Sequence, residues 1–318
     1  MDIWLNILIG LVLLLVGGEL LVRGAVASAK TLGVSPLLIG LTLVGFGTST
    51  PELVTSVTAA LNGSPGIAVG NVVGSNIANI LFILGLSAVI YPMAVNPKGF
   101  KRDAIMVIFA ALACMAVVLY GRMGMLMGLA FIGSLVAYLV FVVREEKRAP
   151  DEAAVVAEHR AEDAPKGPAT MALSVAMAVA GIAITIFGAR FLVDGSIALA
   201  KGLGISDTII GLTIVAVGTS MPELVTSVMA AIRKHADVAY GNIVGSNIFN
   251  VLFILGATSM IQPIDMPKQI AAFDIWVMLA ATGLLVYFAR TGAKLQRWEG
   301  WVFIACYVAY TSYLISIA

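Results

Sequence analysis

The sequence predicts an all-α membrane protein of ten transmembrane helices, arranged as two inverted repeats of five helices each. Two observations lead to this prediction: the composition is too apolar for a surface in water, and one segment of the chain occurs twice. Of the 318 residues, 60% are hydrophobic and 12% are charged. A soluble domain has about 45–50% apolar and about 25% charged residues. Much of the surface is therefore expected to face lipid.

Ten apolar runs are each about long enough to cross a bilayer as a helix. They lie at about 3–22, 34–61, 67–91, 103–120, 124–143, 171–193, 205–232, 238–261, 270–289 and 300–317. The polar run between the fifth and the sixth contains three prolines among charged residues, which is typical of a solvated linker. The predicted domains are therefore a first repeat at 1–143, a linker at 144–170 and a second repeat at 171–318.

Residues 17–92 match residues 188–263 without a gap, at a constant offset (218 − 47 = 171). The two strongest matches pair GTSTPELVTSV (47–57) with GTSMPELVTSV (218–228), and GNVVGSNIAN (70–79) with GNIVGSNIFN (241–250). Because five helices, an odd number, separate the copies, the copies are expected to enter the membrane from opposite sides. That arrangement is typical of secondary transporters, whose substrate site lies near the bilayer midplane.

The basic residues predict the orientation of these helices. With the N-terminus outside, 15 of the 19 Lys and Arg residues fall on the inner side of the membrane and four on the outer side. This excess on one side predicts a cell (inner) membrane protein with both termini outside and the 144–170 linker in the cytoplasm. The net charge of +1 gives no reason to expect a nucleic acid. The lipid bilayer is the expected partner, and no protein partner is evident.

The second and seventh helices are each interrupted by Gly-Thr-Ser-x-Pro-Glu. Proline supplies no backbone N–H and pushes the preceding residue away from helical angles, so both helices are expected to break in mid-membrane with a short unwound stretch. Broken backbone at that depth must be buried in protein or line a cavity. Its free carbonyls join four hydroxyls, those of Thr48, Ser49, Thr219 and Ser220. Hard cations such as Ca²⁺ and Na⁺ prefer oxygen ligands of this kind.

Glu52 and Glu223 follow these breaks at equivalent positions. An ionised carboxylate near the bilayer centre is costly unless a proton, a partner or a cation compensates its charge, and neither central segment contains a basic residue. One interpretation is a protonated or hydrogen-bonded glutamate that only stabilises packing. Two such glutamates in inverted repeats favour cation coordination, in which one Ca²⁺ competes with Na⁺ or protons for the same carboxylates.

The second motif, GNxxGSNxxN, adds further polar side chains. Ser75 and Asn79 are four residues apart, as are Ser246 and Asn250, so each pair shares a helix face that we expect to point toward the glutamates. Asn76 and Asn247 lie about 100° around the helix from their serines. For these two asparagines, ion coordination and helix packing remain alternatives. The glycines of the motif, Gly70, Gly74, Gly241 and Gly245, are expected to permit close helix contact.

Three other features indicate structure rather than chemistry. Glu19 and Arg23 are four residues apart on the first helix, and Arg190 and Asp194 take the matching places on the sixth. A structural ion pair is the favoured interpretation, with control of helix movement as the alternative. The two cysteines lie in apolar runs and the two histidines in polar ones, without the spacing of metal ligands.

The paired motifs resemble the alpha-repeats of the calcium/cation antiporter superfamily, in particular its prokaryotic sodium/calcium exchangers. The resemblance covers nearly the whole chain. It implies that the transported ions are Ca²⁺ and Na⁺, that no cofactor is needed, and that helices one and six slide across a rigid core. The ion-coordinating positions that it implies are Thr48, Ser49, Glu52, Ser75, Asn79, Thr219, Ser220, Glu223, Ser246 and Asn250, with the backbone carbonyls of Gly45 and Ala216.

One position departs from part of that superfamily. Some members, including potassium-dependent ones, have an aspartate where this chain has Asn250. The site would then contain two carboxylates rather than three, and we expect no K⁺ requirement.

The predicted function is Na⁺/Ca²⁺ antiport by alternating access at a midplane site. The first alternative is a cation/proton exchanger of the same superfamily, because glutamates also carry protons. A passive channel is less favoured, since it needs no pair of alternately exposed gates. An enzyme is not expected, because the sequence shows no nucleophile–base pair and no catalytic metal triad.

Overall fold

The computed structural model describes residues 3–32, 34–63, 65–94, 97–148, 168–202, 216–291 and 294–317. In the first half of the chain the helices are α1 Ile3–Leu32, α2 Pro36–Thr48, α3 Thr50–Leu61, α4 Pro65–Ile90, α5 Pro97–Tyr120 and α6 Met125–Arg148. In the second half they are α7 Pro168–Gly202, α8 Ala216–Thr219, α9 Met221–Ile232, α10 Ala236–Ile261, α11 Ile270–Arg290 and α12 Arg297–Ile317.

The helices have the length and composition of membrane spans. Seven of those described are long and apolar enough to cross a bilayer, and α2 with α3 would be an eighth span if the two, bent by 42°, count as one. Their outer faces expose large apolar side chains such as Leu8, Leu126 and Trp301, which are 59%, 82% and 60% exposed. Apolar exposure on this scale suits lipid, not water. The chain is therefore a helical, multi-pass membrane protein.

Helices α1 and α7 pack against each other along much of their length. Glycine recurs at every seventh residue of the contact, at Gly10, Gly17 and Gly24 on α1 and at Gly181, Gly188 and Gly195 on α7. A Cβ at Gly17 would lie 2.6 Å from the backbone nitrogen of Thr185, and one at Gly188 would lie 2.8 Å from that of Leu14. Since a backbone atom cannot rotate out of the way, only glycine allows this approach. The two helices therefore form one tightly packed pair.

Helices α4 and α10, which carry the GNxxGSNxxN motifs, lie at the centre of the molecule. Their apolar stretches are 67% and 83% buried, against 28% for α6. Each widens into a π-helical turn that begins at the last asparagine of the motif, over Asn79–Leu84 and Asn250–Leu255. Such turns are frequent at functional sites. The two helices that carry the polar GNxxGSNxxN motifs are thus the most buried of the described membrane spans.

Two short antiparallel strand pairs depart from the all-α prediction. The strands are β1 Met93–Ala94, β2 Arg122–Met123, β3 Ile264–Asp265 and β4 Lys294–Leu295. Strand β1 pairs with β4 and β2 pairs with β3, so each pair joins one half of the chain to the other. Two residues are too few to show the alternation of apolar and polar side chains by which a strand is predicted.

Helices α6 and α7 extend beyond the predicted apolar runs at 124–143 and 171–193. Helix α6 continues to Arg148 and α7 begins at Pro168, so both ends of the predicted 144–170 linker are helical. The charged residues after 143 are Arg, Glu and Lys, which favour helix, and a proline is tolerated in a first helical turn. The rest of the linker, 149–167, lies outside the described residues, as does 203–215, where the predicted helix 205–232 begins.

Candidate ion-binding site

The bend between α2 and α3 lies at Ser49, the single residue between the two helices. Pro51 lies in the first turn of α3, and it offers no N–H to the carbonyl of Gly47 four residues earlier. Helical backbone bonds resume at once on either side, from Ser49 N to Gly45 O and from Leu53 N to Ser49 O, both 3.2 Å. The predicted unwound stretch is therefore wrong in extent: the helix bends at one residue and leaves few free carbonyls.

The second repeat has the same local geometry at Ser220, between α8 and α9. Its backbone angles are φ −90° and ψ 10°, close to the −80° and 7° of Ser49. Pro222 follows at the same spacing as Pro51. Ala216, whose carbonyl the sequence predicts as a ligand, begins α8. The same motif thus produces the same backbone conformation in both copies.

Each glutamate is buried against the bend of the other repeat. Glu52 is 1% exposed and Glu223 is fully buried. Ser220 Oγ donates to Glu52 Oε1 at 3.1 Å, and Ser49 Oγ donates to Glu223 Oε1 at 3.0 Å. The fold therefore brings both carboxylates and both bends into one cluster, although the bonded residues are 168 and 174 positions apart in the chain.

Four asparagine side chains join α4 to α10. Asn79 Nδ2 donates to Asn247 Oδ1 at 3.2 Å, and Asn250 Nδ2 donates to Asn76 Oδ1 at 3.1 Å. Asn76 Nδ2 in turn lies 3.4 Å from the backbone carbonyl of Asn247. The side-chain oxygens of Asn76 and Asn247 are thus occupied by amide donors. For these two residues the geometry favours helix packing over ion coordination.

Four buried oxygens in this cluster have no hydrogen-bond partner among the described residues. They are Glu52 Oε2, Glu223 Oε2, Asn79 Oδ1 and Asn250 Oδ1, two equivalent pairs from the two repeats. A buried acceptor without a donor costs about 1–3 kcal/mol. A bound cation removes that cost, and carboxylate and amide oxygens suit Na⁺ and Ca²⁺. The arrangement therefore has the properties of an all-oxygen cation site.

Two other predicted ligands, Ser75 and Ser246, lie close to the bends. Ser75 Oγ lies 3.3 Å from Ser220 Oγ, and it is the donor of this contact because Ser220 gives its one proton to Glu52. Ser246 Oγ lies 3.5 Å from the Gly45 carbonyl, the backbone oxygen that the resemblance implies as a ligand. A Cβ at Gly45 would lie 3.2 Å from the backbone nitrogen of Ser246, so α2 and α10 approach closely here.

The cluster differs from a resident metal centre. No group of three or more His, Cys, Asp or Glu side chains in the described part of the chain could hold a metal ion. Two carboxylates supplemented by neutral oxygens carry less charge than the acidic sites that retain Ca²⁺, and the number of charged ligands is one factor that sets Ca²⁺ affinity. A site with few charged ligands has a lower affinity for Ca²⁺, so a bound ion can be released again.

A family model described as the sodium/calcium exchanger protein matches residues 3–144 and 173–316. The chain belongs to the sodium/calcium exchanger family. CaxA of Alkalimonas amylolytica is 38% identical over 98% of each chain, and the sodium/calcium exchanger MaX1 of Methanosarcina acetivorans is 35% identical over 99% of each. A solved structure of the sodium-calcium exchanger NCX_Mj, soaked with 10 mM Na⁺ and 10 mM Sr²⁺, has a TM-score of 0.83 at 32% identity over 96% of each chain.

In this exchanger fold, two asparagines that sequence reasoning missed connect the repeats, one buried and one partly buried. Asn71 and Asn242 are the first asparagines of the two GNxxGSNxxN motifs. Each donates to the backbone carbonyl of the glutamate in its own repeat and accepts from a threonine of the other repeat. The signal was present in the sequence, since a polar amide inside an apolar helix must find hydrogen-bond partners.

A cavity of about 190 Å³ lies beside the two bends. Its lining includes Pro51 and Thr219 from the two bends, and Arg190 and Asp194 from α7. The cavity has both polar and apolar walls and lies between α7, α3 and α8. Arg190 and Asp194, for which the sequence favours a structural ion pair, thus border this cavity.

At the equivalent position of α1, an ion pair of Glu19 connects α1 to the end of α9. Glu19 forms an ion pair with Arg23, as the sequence predicts, and a second one with Arg233, directly after α9. The Arg233 guanidinium engages both carboxylate oxygens, with Nε 2.8 Å from Glu19 Oε2. A Cβ at Gly18 would lie 2.6 Å from Val225 Cγ1, which shows how closely α1 and α9 pack. A cavity thus borders α7, whereas α1 packs closely against α9 and is joined to its end by an ion pair.

Proposed function

We propose that this protein is a secondary antiporter that exchanges Na⁺ for Ca²⁺ across the membrane by alternating access at the site between Glu52 and Glu223. The observation that carries the proposal is the crosswise pairing of these glutamates with Ser220 and Ser49, which leaves one oxygen of each carboxylate without a partner among the residues that the structure describes. The relatives MaX1 and NCX_Mj are named as sodium/calcium exchangers, which supports the same ions as cargo here. In such a mechanism the ions are substrates and no cofactor is needed.

The charge of the site supports exchange rather than retention. Two ionised carboxylates in a lipid-shielded interior require compensation. A single Ca²⁺ neutralises both, and so do two Na⁺ ions. Because the two cargoes use the same carboxylates, occupancy by one excludes the other, and this competition couples their opposite movements.

We further propose ten transmembrane helices in two inverted repeats, 1–143 and 171–318, joined by a cytoplasmic linker at 144–170. The crosswise bonds support this proposal, because each contact made by one repeat has an equivalent made by the other. The family model, which matches two separate ranges, is consistent with the same division. With both termini outside, the cavity beside Arg190 opens outward and the Glu19–Arg233 contact faces the cytoplasm.

Transport in sealed vesicles tests the proposed function. We expect vesicles that contain the protein and are loaded with Na⁺ to take up radiolabelled Ca²⁺ when diluted into Na⁺-free medium, because outward Na⁺ flow drives Ca²⁺ inward. Vesicles loaded with choline, a cation too large for the site, provide the control. Uptake driven only by a pH gradient would instead identify a cation/proton exchanger. Uptake without any counter-ion gradient would identify a channel.

The same assay tests the expected independence of K⁺. Asn250 supplies a neutral amide where some superfamily members have a carboxylate, so this chain has no third charge for an additional monovalent ion to neutralise. We expect Na⁺-driven Ca²⁺ uptake to persist when K⁺ is removed from both sides of the membrane. Loss of uptake in K⁺-free buffer, with recovery when K⁺ is added back, would contradict this prediction.

A further inference from the structure

Asn71 and Asn242 make the same set of contacts in the two repeats. Asn242 Nδ2 donates to the backbone carbonyl of Glu223 at 3.3 Å and to Ser227 Oγ at 2.9 Å. Asn71 Nδ2 donates to the carbonyl of Glu52 at 3.1 Å and to Ser56 Oγ at 3.0 Å. Both N–H groups of each amide are therefore directed at the helix that carries the glutamate of the same repeat.

The oxygen of each amide is directed at the other repeat. Thr48 Oγ1 donates to Asn242 Oδ1 at 3.2 Å, and Thr219 Oγ1 donates to Asn71 Oδ1 at 3.5 Å. The direction of the amide is fixed, because a backbone carbonyl only accepts hydrogen bonds and the NH₂ group must face it. The oxygen is thus left for the threonine of the opposite bend.

We propose that Asn71 and Asn242 are positioning residues for ion exchange. Each amide holds the glutamate helix of its own repeat against the threonine of the other repeat, and so sets the spacing of ion ligands that come from different halves of the chain. The inference rests on the proposed function, since it assumes that these threonines and glutamates bind the ions. Neither asparagine needs to touch an ion for this role.

Burial protects the hydrogen bonds of Asn242 from competition with water. Asn242, Thr48 and Glu223 are all fully buried, so water does not compete for their hydrogen bonds. The Thr48 hydroxyl also lies 3.1 Å from the carbonyl of Val44 in its own helix. Because the hydroxyl has one proton, these two acceptors share or compete for it, and of the two contacts only the one with Asn242 joins Thr48 to the other repeat. Asn242 supplies the contact that fixes Thr48 relative to the helix of Glu223.

A double-mutant cycle on ion affinity tests the proposal. We expect Asn242→Ala to raise the KM for Ca²⁺ by about five- to tenfold, the equivalent of one lost buried hydrogen bond. Its maximal rate should fall far less, because the carboxylates remain. In combination with Thr48→Ala, the KM should be close to that of the worse single variant, because residues that act through one contact are not additive. The pair Asn71→Ala and Thr219→Ala should behave in the same way.

The repeats provide matched controls. Ser75 is a predicted ligand of the same repeat as Thr48, but no hydrogen bond joins it to Asn242, so Asn242→Ala with Ser75→Ala should be additive. Ser227→Ala removes only one anchor of the Asn242 amide and should leave the KM near the wild-type value. If the alanine variants do not accumulate as folded protein, Asn242→Ser, which adds no charge, and Thr48→Val, which nearly keeps the volume, complete the same cycle.

The outcomes separate this inference from the proposed function. Additive behaviour of Asn242 with Thr48, in a protein that still needs Glu52 and Glu223 for exchange, would overturn the positioning role alone. Normal exchange by Thr48→Ala and by the glutamate variants would instead show that the ions do not bind at this site. Non-additivity confined to the two crosswise pairs supports the proposal.

Discussion

Glu52→Gln and Glu223→Gln should each reduce Na⁺-driven Ca²⁺ uptake by roughly 100-fold or more. Glutamine has the shape of glutamate and keeps an acceptor for Ser220 or Ser49, so the crosswise contacts and the fold are expected to survive. The substitution removes one of the two charges that compensate the ion. Breaking a buried charge pair costs about 3–5 kcal/mol, and each 1.4 kcal/mol is a factor of about ten in affinity.

Vesicle uptake measures this loss, and thermal melting of the purified protein with and without Ca²⁺ shows whether it comes from binding. The wild-type protein should melt at a higher temperature when Ca²⁺ is present, and the variants should show no such shift. Glu145→Gln serves as a control, because this side chain is 48% exposed and lies outside the site. Normal uptake by either site variant would disprove the assignment of that glutamate.

Gly17→Val should prevent the protein from folding into its native helix packing. A Cβ at this position would lie 2.6 Å from the backbone nitrogen of Thr185 and 3.0 Å from the carbonyl of Gly181, so α1 and α7 would have to separate. Overpacking of a tight interface typically costs about 1–3 kcal/mol, and backbone that cannot relax raises the cost further. We expect a large loss of folded, monodisperse protein in detergent, measured by size-exclusion chromatography and thermal melting.

Gly133→Val is the matched control for this substitution. Gly133 also lies inside a membrane helix, α6, but it is exposed and a Cβ there would meet no described atom within 4 Å. The control has the same change in helix propensity without the clash. If Gly17→Val melts at the same temperature as Gly133→Val and transports normally, the glycine contacts between α1 and α7 do not determine the packing.

Much of the fold could be predicted, because it follows from continuous apolar runs and from a motif that occurs twice. Apolar runs of membrane length located the helices, and the duplicated motifs predicted where two of them are interrupted. The extent of the interruption was not predictable, because proline shows only that a backbone bond is missing and not how far the neighbouring turns unwind. In the structure the bonds resume on either side of Ser49.

The two-residue strands and the full extent of helices α6 and α7 were missed for a related reason. Arg144 and its charged neighbours look like a solvated linker by composition, but the same residues favour helix when a preceding helix can simply continue. Strands β1 to β4 form because the ends of helices from different halves meet. Neither outcome depends on the local pattern alone.

For the site, the sequence by itself determined the membrane environment, the duplication and the residues able to bind a cation. Only the tertiary structure decided the partners: Ser49 binds the glutamate of the other repeat, Asn76 and Asn247 hold helices together, and Asn71 and Asn242 join each glutamate helix to the opposite threonine. The physical reason is distance along the chain. A helix forms from residues a few positions apart, whereas these contacts link residues as many as 194 positions apart and exist only once the two halves have packed.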